Sequence, residues 1–355
     1  MSKSKKELVE NNNDDDLLKM DFFNELFEND FLDEKDDDEN LFEDEDWLDH
    51  KSGCLSVEKF YFELTDTKSK KGLHSDFIHS LCFIDEKELY GFFDQDKIKN
   101  VFYSETEESE MFINMMLKKV TGISEKFSKE LISCVNMILN IQDEDNKKMI
   151  DFKAKLYLNI LSRFIYSENE EISLLEKINT NETEMTAFFC KHLDTKIDFD
   201  DLGGHYNTIQ SRIYYHYKHL AANITINKDG TVSKCVSDER AINIGKSIVN
   251  KKKFKNFLIK TLNNDMTFQG SSYPYCVSTT LSFVNIADLT LLNELKELLN
   301  KYNVYNVVKD EWYLERYPQF VELLKDMDMK IIKEEQKHLS LIVNTDNKKK
   351  VNNRL

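Results

Sequence analysis

The stretch "NITINKDGTVSKCVSDERAINIGKSIV" (residues 223–249) holds the most regular pattern in the chain. Two short runs of alternating apolar and polar residues meet at Asp229-Gly230, and an Asp-Gly pair between such runs is the strongest short hairpin signal. Ser237 follows, and its hydroxyl can cap a helix whose first turn carries two acidic residues. The stretch therefore predicts a strand, a turn, a second strand and a helix that begins at Ser237.

A second alternating run lies further along, in "YCVSTTLSFVNI" (residues 275–286). The alternation predicts a strand with one face formed by Val277, Thr279, Leu281 and Phe283. The segment "DLTLLNELKELLNKY" after it has the apolar spacing of an amphipathic helix that begins at Asp288.

The same order of a strand and then a helix is predicted roughly ninety residues earlier, in "FFCKHLDTKIDFDDL" (residues 188–202). Similar units at a fixed separation indicate an internal repeat. The carboxyl-terminal part of the chain is therefore predicted to contain two related lobes.

This order of elements resembles the TATA-binding protein family, whose core consists of two lobes of strands and helices. The resemblance rests on "LDTKIDFDDL", "NKDGTVSKCVSDERA" and "YLERYPQFVELL", and it covers roughly half of the chain. It implies an α+β fold in which residues 183–345 form one curved antiparallel sheet with helices on its convex face. The two lobes would span about 183–265 and 274–345.

The resemblance also implies a DNA-binding site on the concave face of that sheet. In the family, phenylalanines wedge between base steps and asparagines bind in the minor groove. Thr225 and Ile226 occupy the place of the phenylalanines, and Thr186 and Tyr275 occupy the place of the asparagines. With the wedging phenylalanines replaced, the resemblance indicates a divergent factor, of viral type, that works with a partner subunit.

Lysines supply a second set of candidate DNA contacts. The segment "NKKKFKNFLIK" (residues 250–260) places four of them at a helix end, and the last ten residues, 346–355, form a basic tail. Such lysines can contact phosphates, although runs of charge are more often a solvated surface. The four lysines are Lys251, Lys252, Lys253 and Lys255.

The amino-terminal residues 1–55 are too acidic and too poor in aliphatic residues to build a core, which predicts a largely disordered tail. Within it, "MDFFNELFENDFLDE" has aromatic residues at helical spacing. This stripe either docks on a partner or packs on the body of its own chain. It consists of Phe22, Phe23, Leu26, Phe27 and Phe31.

Residues 56–182 are predicted to form a mainly helical domain. Apolar residues recur at helical spacing in "SDFIHSLCFIDEKELYGFF", "SEMFINMMLKKVTG", "SEKFSKELISCVNMILNIQ" and "DFKAKLYLNILSRFIYS". A short strand is predicted before them in "CLSVEKFYFELT". No motif in this region specifies a chemistry.

The formal charge of −17 is unevenly distributed over the 355 residues. Residues 1–184 carry 23 basic and 45 acidic side chains, whereas residues 185–355 carry 25 and 20. The two parts are therefore expected to bind different partners.

The location of the protein is predicted from its cysteines and from its hydropathy. Six cysteines without a CxxC pair indicate a reducing compartment. No apolar run has the length of a membrane span or of a signal peptide. These features predict a soluble intracellular protein without a membrane partner, in the nucleus, in a cytoplasmic viral factory or packaged in a virion.

The densest group of potential metal ligands matches no zinc-binding spacing. We also find no glycine-rich phosphate loop and no GxSxG motif. We therefore predict a non-enzymatic transcription initiation factor without a cofactor. It is expected to bind AT-rich promoter DNA or to recruit RNA polymerase, together with partner subunits. One of these subunits is expected to form a heterodimer with this chain. A protein interaction scaffold and a metal-dependent enzyme are the alternatives. The ligand candidates are Cys190, His192, His205, His216 and His219.

Deleting residues 1–50 tests the two interpretations of the aromatic stripe. If the stripe docks on a partner, the deletion leaves the thermal unfolding midpoint nearly unchanged and weakens binding to that partner. A large drop in the unfolding midpoint, measured by circular dichroism, would place the stripe in the protein's own core.

Overall fold

The computed structural model describes residues 56–65, 84–122, 127–143, 145–166, 177–178, 180–197, 207–221, 225–226, 232–233, 238–267 and 273–352. Side chains are described for these ranges except 225–226, 232–233, 273 and 338–352. About 78 % of the described residues are helical. The first eight helices are α1 (Val57–Thr65), α2 (Glu86–Phe92), α3 (Gln95–Tyr103), α4 (Glu107–Thr121), α5 (Lys129–Asn140), α6 (Lys147–Tyr166), α7 (Glu182–His192) and α8 (Ile209–Tyr217).

Two short strands separate α8 from the remaining helices. They are followed by seven helices, of which the last is the longest described. The elements are β1 (Thr225–Ile226), β2 (Val232–Ser233), α9 (Glu239–Val249), α10 (Lys252–Thr267), α11 (Tyr273–Ser282), α12 (Leu289–Lys301), α13 (Val304–Val307), α14 (Glu311–Arg316) and α15 (Pro318–Asn352).

The helices predicted between residues 75 and 167 are confirmed as α2, α4, α5 and α6, apart from residues 75–83, 124–126 and 167, which lie outside the described residues. Three of them begin at a residue whose side chain accepts a hydrogen bond from a backbone N–H of the first turn. These capping residues are Asp85, Thr106 and Ser128. Local capping and apolar spacing therefore determined these helices.

The hairpin and the two later helices α9 and α12 were also predicted correctly in outline. Strands β1 and β2 pair antiparallel in a register that is centred on Asp229. Helix α9 is capped by Asp238 rather than by the neighbouring Ser237. Asp288 caps α12 as predicted, and its Oδ1 accepts a hydrogen bond from the N–H of Leu291 at 2.8 Å.

The prediction of an α+β fold with a curved antiparallel sheet is wrong. Within the described ranges, the two-residue strands β1 and β2 pair only with each other, and one isolated bridge joins Lys196 to Thr208. Most of the described residues assigned to the two lobes lie in helices instead. The two-lobed architecture of the TATA-binding protein family is therefore absent from this part of the chain.

The predicted strand at residues 275–286 is largely the buried helix α11. Residues on all of its sides are shielded from solvent, since Val277, Thr279, Thr280 and Leu281 are each at most 1 % exposed. A short segment that is buried on every side shows no helical amphipathicity, so its β-branched residues suggested a strand. Tertiary burial decided the conformation here.

Two further segments that were predicted as strands are helical. Helix α1 replaces the strand at "CLSVEKFYFELT" and buries Val57, Phe60 and Leu64, which have helical spacing. Phe188 and Phe189 of the first predicted lobe lie in α7 and not in a strand.

The end of the chain is α15 rather than a loop and a strand. Pro318 occupies the first position of this helix, where a missing N–H costs nothing. The buried residues that follow, Phe320, Leu324, Met327 and Ile331, recur every three or four positions. The sequence itself shows this helical spacing. The resemblance to the TATA-binding protein family led to the prediction of a loop and a strand instead.

The described residues share one core, in which α6 is the central helix. Buried hydrophobic residues from Phe60 to Ile331 form a single cluster that runs across residue 182 without a break. Helix α6 packs against α4, α8 and α9. Eleven of its twenty residues are buried, and most of these are apolar, so the helix depends on being packed between other elements.

Three cations of α6 bind the carboxyl-terminal ends of other helices. Lys148 Nζ donates to the carbonyl of Ser104, which ends α3, at 2.8 Å. Arg163 donates to the carbonyl of Thr121, the last residue of α4. Lys153 Nζ donates to the carbonyls of Leu139 and Ile141 at the end of α5, at 3.1 and 2.6 Å.

These bonds satisfy carbonyls that have no partner within their own helices, and the positive charges oppose the negative ends of the helix dipoles. Burial lowers the pKa of Lys153, an effect that the carboxylates of Glu184 and Asp143 oppose.

Replacing Lys153 with methionine tests the importance of these bonds. We expect Lys153→Met to lower the free energy of unfolding by about 1–3 kcal/mol, because two partly buried carbonyls lose their donor. Urea unfolding followed by circular dichroism measures the change. The matched control is Lys155→Met on the same helix, which removes an i,i+4 ion pair with Asp151 and costs about 0.5 kcal/mol or less. Equal losses for the two variants would contradict the role of Lys153.

Candidate functional site

A cluster of aromatic rings and a lysine lies where the end of α8 meets the start of α11. It consists of Tyr215, Lys218, His219 and Tyr275, and we call it the aromatic–lysine cluster. The ring centroids of Tyr215 and His219 are 5.9 Å apart and nearly perpendicular, at 88°. His219 and Tyr275 are also 5.9 Å apart, with a 55° angle between the rings. The three rings thus form a continuous row.

The lysine of the cluster is directed at two of these rings. Lys218 Nζ lies 4.3 Å from the ring centroid of Tyr215 and 5.7 Å from that of Tyr275. Both distances are within the range of cation–π attraction. Lys218 is only 6 % exposed, whereas Tyr275 is 43 % exposed. The cluster therefore presents an accessible ring above a buried positive charge.

Helix α8 is held in place at both ends. At its start, Thr208 and Ser211 form a capping box. Near its end, the hydroxyl of Tyr217 donates to the carbonyl of Ala241 in α9 at 2.5 Å. A Cβ atom on Gly245 would lie 3.0 Å from the Tyr217 ring, so glycine allows this close approach.

The turn after α8 is fixed by α11. The Ser282 hydroxyl lies 3.0 Å from the carbonyl oxygen of Lys218, and it accepts a hydrogen bond from the N–H of Ala221 at 2.8 Å. Tyr275 lies two turns earlier on the same side of α11, because residues seven apart share a helix face. The polar stripe of α11 thus places the Tyr275 ring against His219.

Two hydroxyls of α11 are buried and have no hydrogen-bond partner among the described residues. They belong to Ser278 and Thr279, which are 6 % and 0 % exposed. Ser278 lies between Tyr275 and Ser282 on the face that packs against the turn after α8. Such groups cost free energy, so this part of α11 is not optimised for stability alone.

The electrostatics of the cluster keep its histidine neutral. Burial, together with the positive charge of Lys218, lowers the pKa of His219 to about 4. Burial also raises the pKa of Tyr166, whose hydroxyl donates to the carbonyl of His216 nearby. At neutral pH the cluster therefore carries a positive charge at Lys218 and uncharged rings around it.

The four predicted lysines lie at the junction of α9 and α10. Lys253 forms an ion pair with Asp194, and Lys255 Nζ lies 3.3 Å from Asp288 Oδ1. Lys251 and Lys252 are exposed. Two of the four charges are therefore balanced by carboxylates, which leaves less positive potential for phosphates than the sequence suggested.

The other predicted DNA-binding residues are scattered over different elements. Tyr275 lies in the aromatic–lysine cluster, on a helix instead of a strand. Thr186 is half-buried on α7, and Thr225 and Ile226 form β1. The five residues of the acidic aromatic stripe lie outside the described residues. The structure thus does not gather the predicted residues on one concave face.

The candidate metal ligands do not converge. Cys190 and His192 lie two positions apart on α7, which separates them by about 200° around the helix. Across the described ranges, no three His, Cys, Asp or Glu side chains are arranged to hold a metal ion. His205 lies outside those ranges, and His219 belongs to the aromatic–lysine cluster.

An open groove of about 490 Å³ lies between α10 and α12. Two lysines and two glutamates line it, so neither sign of charge dominates. It therefore offers less attraction for a phosphate than a lysine-rich surface would. The charged lining residues are Lys260, Lys301, Glu294 and Glu297.

Tyr215 and Lys218 were not identified from the sequence. The sequence feature that could have identified them is the segment "YYHYKHL", which contains both residues. In this segment Tyr215 and His219 are four residues apart, which is the spacing of residues on one helix face. The segment also alternates weakly between apolar and polar residues, as a strand does, so its local pattern does not indicate a helix alone. The contact with Tyr275 had no local signal, because about sixty residues separate the two segments.

Comparisons with known proteins give no match. No protein-family model, curated protein or solved structure is similar to this chain. None of the described helices combines the length and hydrophobicity needed to cross a membrane.

The lowered pKa of His219 predicts a dependence of stability on pH. The folded-state pKa of about 4 lies below the ordinary value of 6.5, so between these values the unfolded chain binds a proton that the folded chain does not. The stabilising contribution of neutral His219 is full above about pH 6.5 and is lost as the pH falls toward 4. His219→Gln should therefore lose less unfolding free energy between pH 7 and pH 4.5 than the wild type does.

Urea unfolding at the two pH values measures this difference, and an NMR titration of the histidine ring gives the pKa directly. The prediction fails if both proteins show the same pH dependence or if His219 titrates near 6.5.

Proposed function

We propose that the protein is a non-enzymatic nucleic-acid-binding protein whose aromatic–lysine cluster stacks an unpaired base. The observation that carries this proposal is the exposed Tyr275 ring beside neutral His219 and above the ammonium group of Lys218. Exposed aromatic rings combined with basic groups are the features with which proteins bind single strands.

The charge distribution supports the proposal. Residues 185–355 carry an excess of about five positive charges, although the whole chain is acidic. Lys251 and Lys252 are exposed and can contact phosphates. Phosphate contacts carry no sequence information, so these lysines would add affinity and the rings would select unpaired bases.

The geometry favours an unpaired strand over an intact duplex. A base must leave its stack before it can lie on the Tyr275 ring. The described residues contain no curved sheet that could bend a duplex from the minor groove. An opened promoter provides unpaired bases, so the cluster is compatible with the transcription-initiation role that the sequence predicts, in which the acidic segment would recruit partner subunits.

A protein interaction scaffold is the second candidate function. It is favoured by the exposed apolar side chains of α14, where Trp312 is 43 % and Leu314 is 44 % exposed. The guanidinium of Arg316 lies 4.6 Å from the Trp312 ring centroid. Tryptophan and arginine are enriched at the centres of protein interfaces.

Replacing Tyr275 with alanine tests the proposed function. Base stacking contributes about 1–3 kcal/mol, so Tyr275→Ala should weaken binding of a labelled single-stranded 20-mer by about 5- to 150-fold. Tyr275→Phe should bind nearly as well as the wild type. Fluorescence anisotropy at low salt, with the matching duplex as competitor, measures the affinities.

Tyr103 provides a matched control on another helix. It is 53 % exposed, and Lys99 Nζ lies 5.7 Å from its ring centroid. Tyr103→Ala should leave binding unchanged. Equal effects of the two alanine variants, or no binding by the folded wild type, would contradict the proposal, and the second result would favour the scaffold.

A further inference from the structure

Helix α15 leaves the body of the protein partway along its length. Its inner face packs on α11 and α12 through buried residues that end at Ile331. Residues 332–337 are all exposed, so their side chains are largely open to solvent, although α15 also contacts α14 and β1. The backbone nevertheless stays helical to Asn352. This part, residues 332–352, extends about 31 Å at 1.5 Å per residue.

An extended helix of this kind is marginally stable by itself. Isolated helices gain little from propensity, and most helices in proteins depend on packing of an apolar face. The outer face of α15 has such residues, because Met329 is 48 % and Ile332 is 52 % exposed. They lie on the side opposite the buried Met327 and Ile331. The outer face thus has apolar side chains available for a partner.

The spacing on this outer face is that of a coiled coil. Met329, Ile332 and Gln336 follow one another at steps of three and four, and the sequence continues this spacing with Leu339 and Val343. These steps define the a and d positions of a heptad repeat. A polar residue at an a position, here Gln336, sets the register of such a pair.

We propose that a second copy of this chain covers the outer face of α15, in a parallel two-stranded coiled coil. A two-fold axis along the helices brings the same stripe from each copy together. The proposal goes beyond nucleic-acid binding and does not depend on it.

The charges beside the stripe favour a parallel pair. With Met329 at position a, Asp328 occupies position g and Lys333 the next position e, which face each other across a parallel pair. Asp328 forms an ion pair with Lys296 of its own chain and accepts a hydrogen bond from Tyr305, in both cases through Oδ1. Lys333 is exposed. Opposite charges therefore meet in the parallel arrangement.

Sedimentation equilibrium of the full chain tests the proposal. One chain has a mass of 42.0 kDa, so the wild type should approach twice that mass as its concentration rises to about 100 µM. The double variant Met329→Glu/Ile332→Glu should stay at the monomer mass with an unchanged near-UV circular dichroism spectrum, which reports on the packed aromatic side chains of the body. Glu334→Lys is the matched control. Glu334 occupies position f, on the side of the helix away from the a and d positions, so this variant should leave the dimer intact.

Cysteine cross-linking tests the orientation of the two helices. In a parallel pair the two d positions face each other, so Ile332→Cys should form an intermolecular disulfide on mild oxidation, whereas Glu334→Cys should not exceed the wild-type background. A wild type that stays monomeric, or a dimer that persists in the double variant, would overturn the proposal. Equal cross-linking of both cysteine variants would overturn the parallel arrangement.

Discussion

The fold depends on the burial of α6 and on how its few charged side chains are satisfied. Eleven of the twenty residues of α6 are buried, and the three cations at Lys148, Lys153 and Arg163 would be costly among these buried neighbours without hydrogen-bond partners. Each instead binds a carbonyl at the end of another helix. One helix thereby fixes the ends of α3, α4 and α5. These bonds are directional, so they determine how the surrounding helices are placed, which hydrophobic burial alone does not.

The candidate site is a consequence of that arrangement. Helix α8 packs on α6, and the turn after it is held by the Ser282 hydroxyl of α11. Tyr275 lies at the exposed start of α11, which is buried from Cys276 onward. The rest of the helix is rigidly packed, so the ring position is set in advance and little entropy is lost when a base stacks on it. The buried hydroxyls of Ser278 and Thr279, which have no hydrogen-bond partner among the described residues, are the cost of placing polar residues in this buried helix.

The electrostatics explain why the predicted lysine site is weaker than its sequence suggests. Exposed ion pairs contribute about 0–1 kcal/mol, so Lys253 with Asp194 adds little to stability. The same pair removes a positive charge from the surface that a phosphate would meet. Lys218 differs, because its charge is buried beside rings and is screened little by salt. Affinity that depends on Lys218 and Tyr275 should therefore resist salt better than affinity that depends on Lys251 and Lys252.

The sequence by itself determined the helices whose start and spacing are local. Asp85, Thr106, Ser128 and Asp288 cap helices because a short polar side chain reaches a backbone N–H two or three residues away, and this geometry needs no tertiary contact. The hairpin centred on Asp229 was predicted for the same reason.

Only the tertiary structure decided the conformation of α11 and the composition of the site. A segment buried on every side has no amphipathic pattern, so Val277 and Thr279 suggested a strand until the surrounding helices were known. The spacing of Phe320, Leu324 and Met327 indicates helix α15. The resemblance to the TATA-binding protein family nevertheless led to the prediction of a loop and a strand there. The contact of Tyr275 with His219 joins segments far apart in the chain. No local pattern encodes such a contact, because it depends on how α8 and α11 are both packed against the rest of the core.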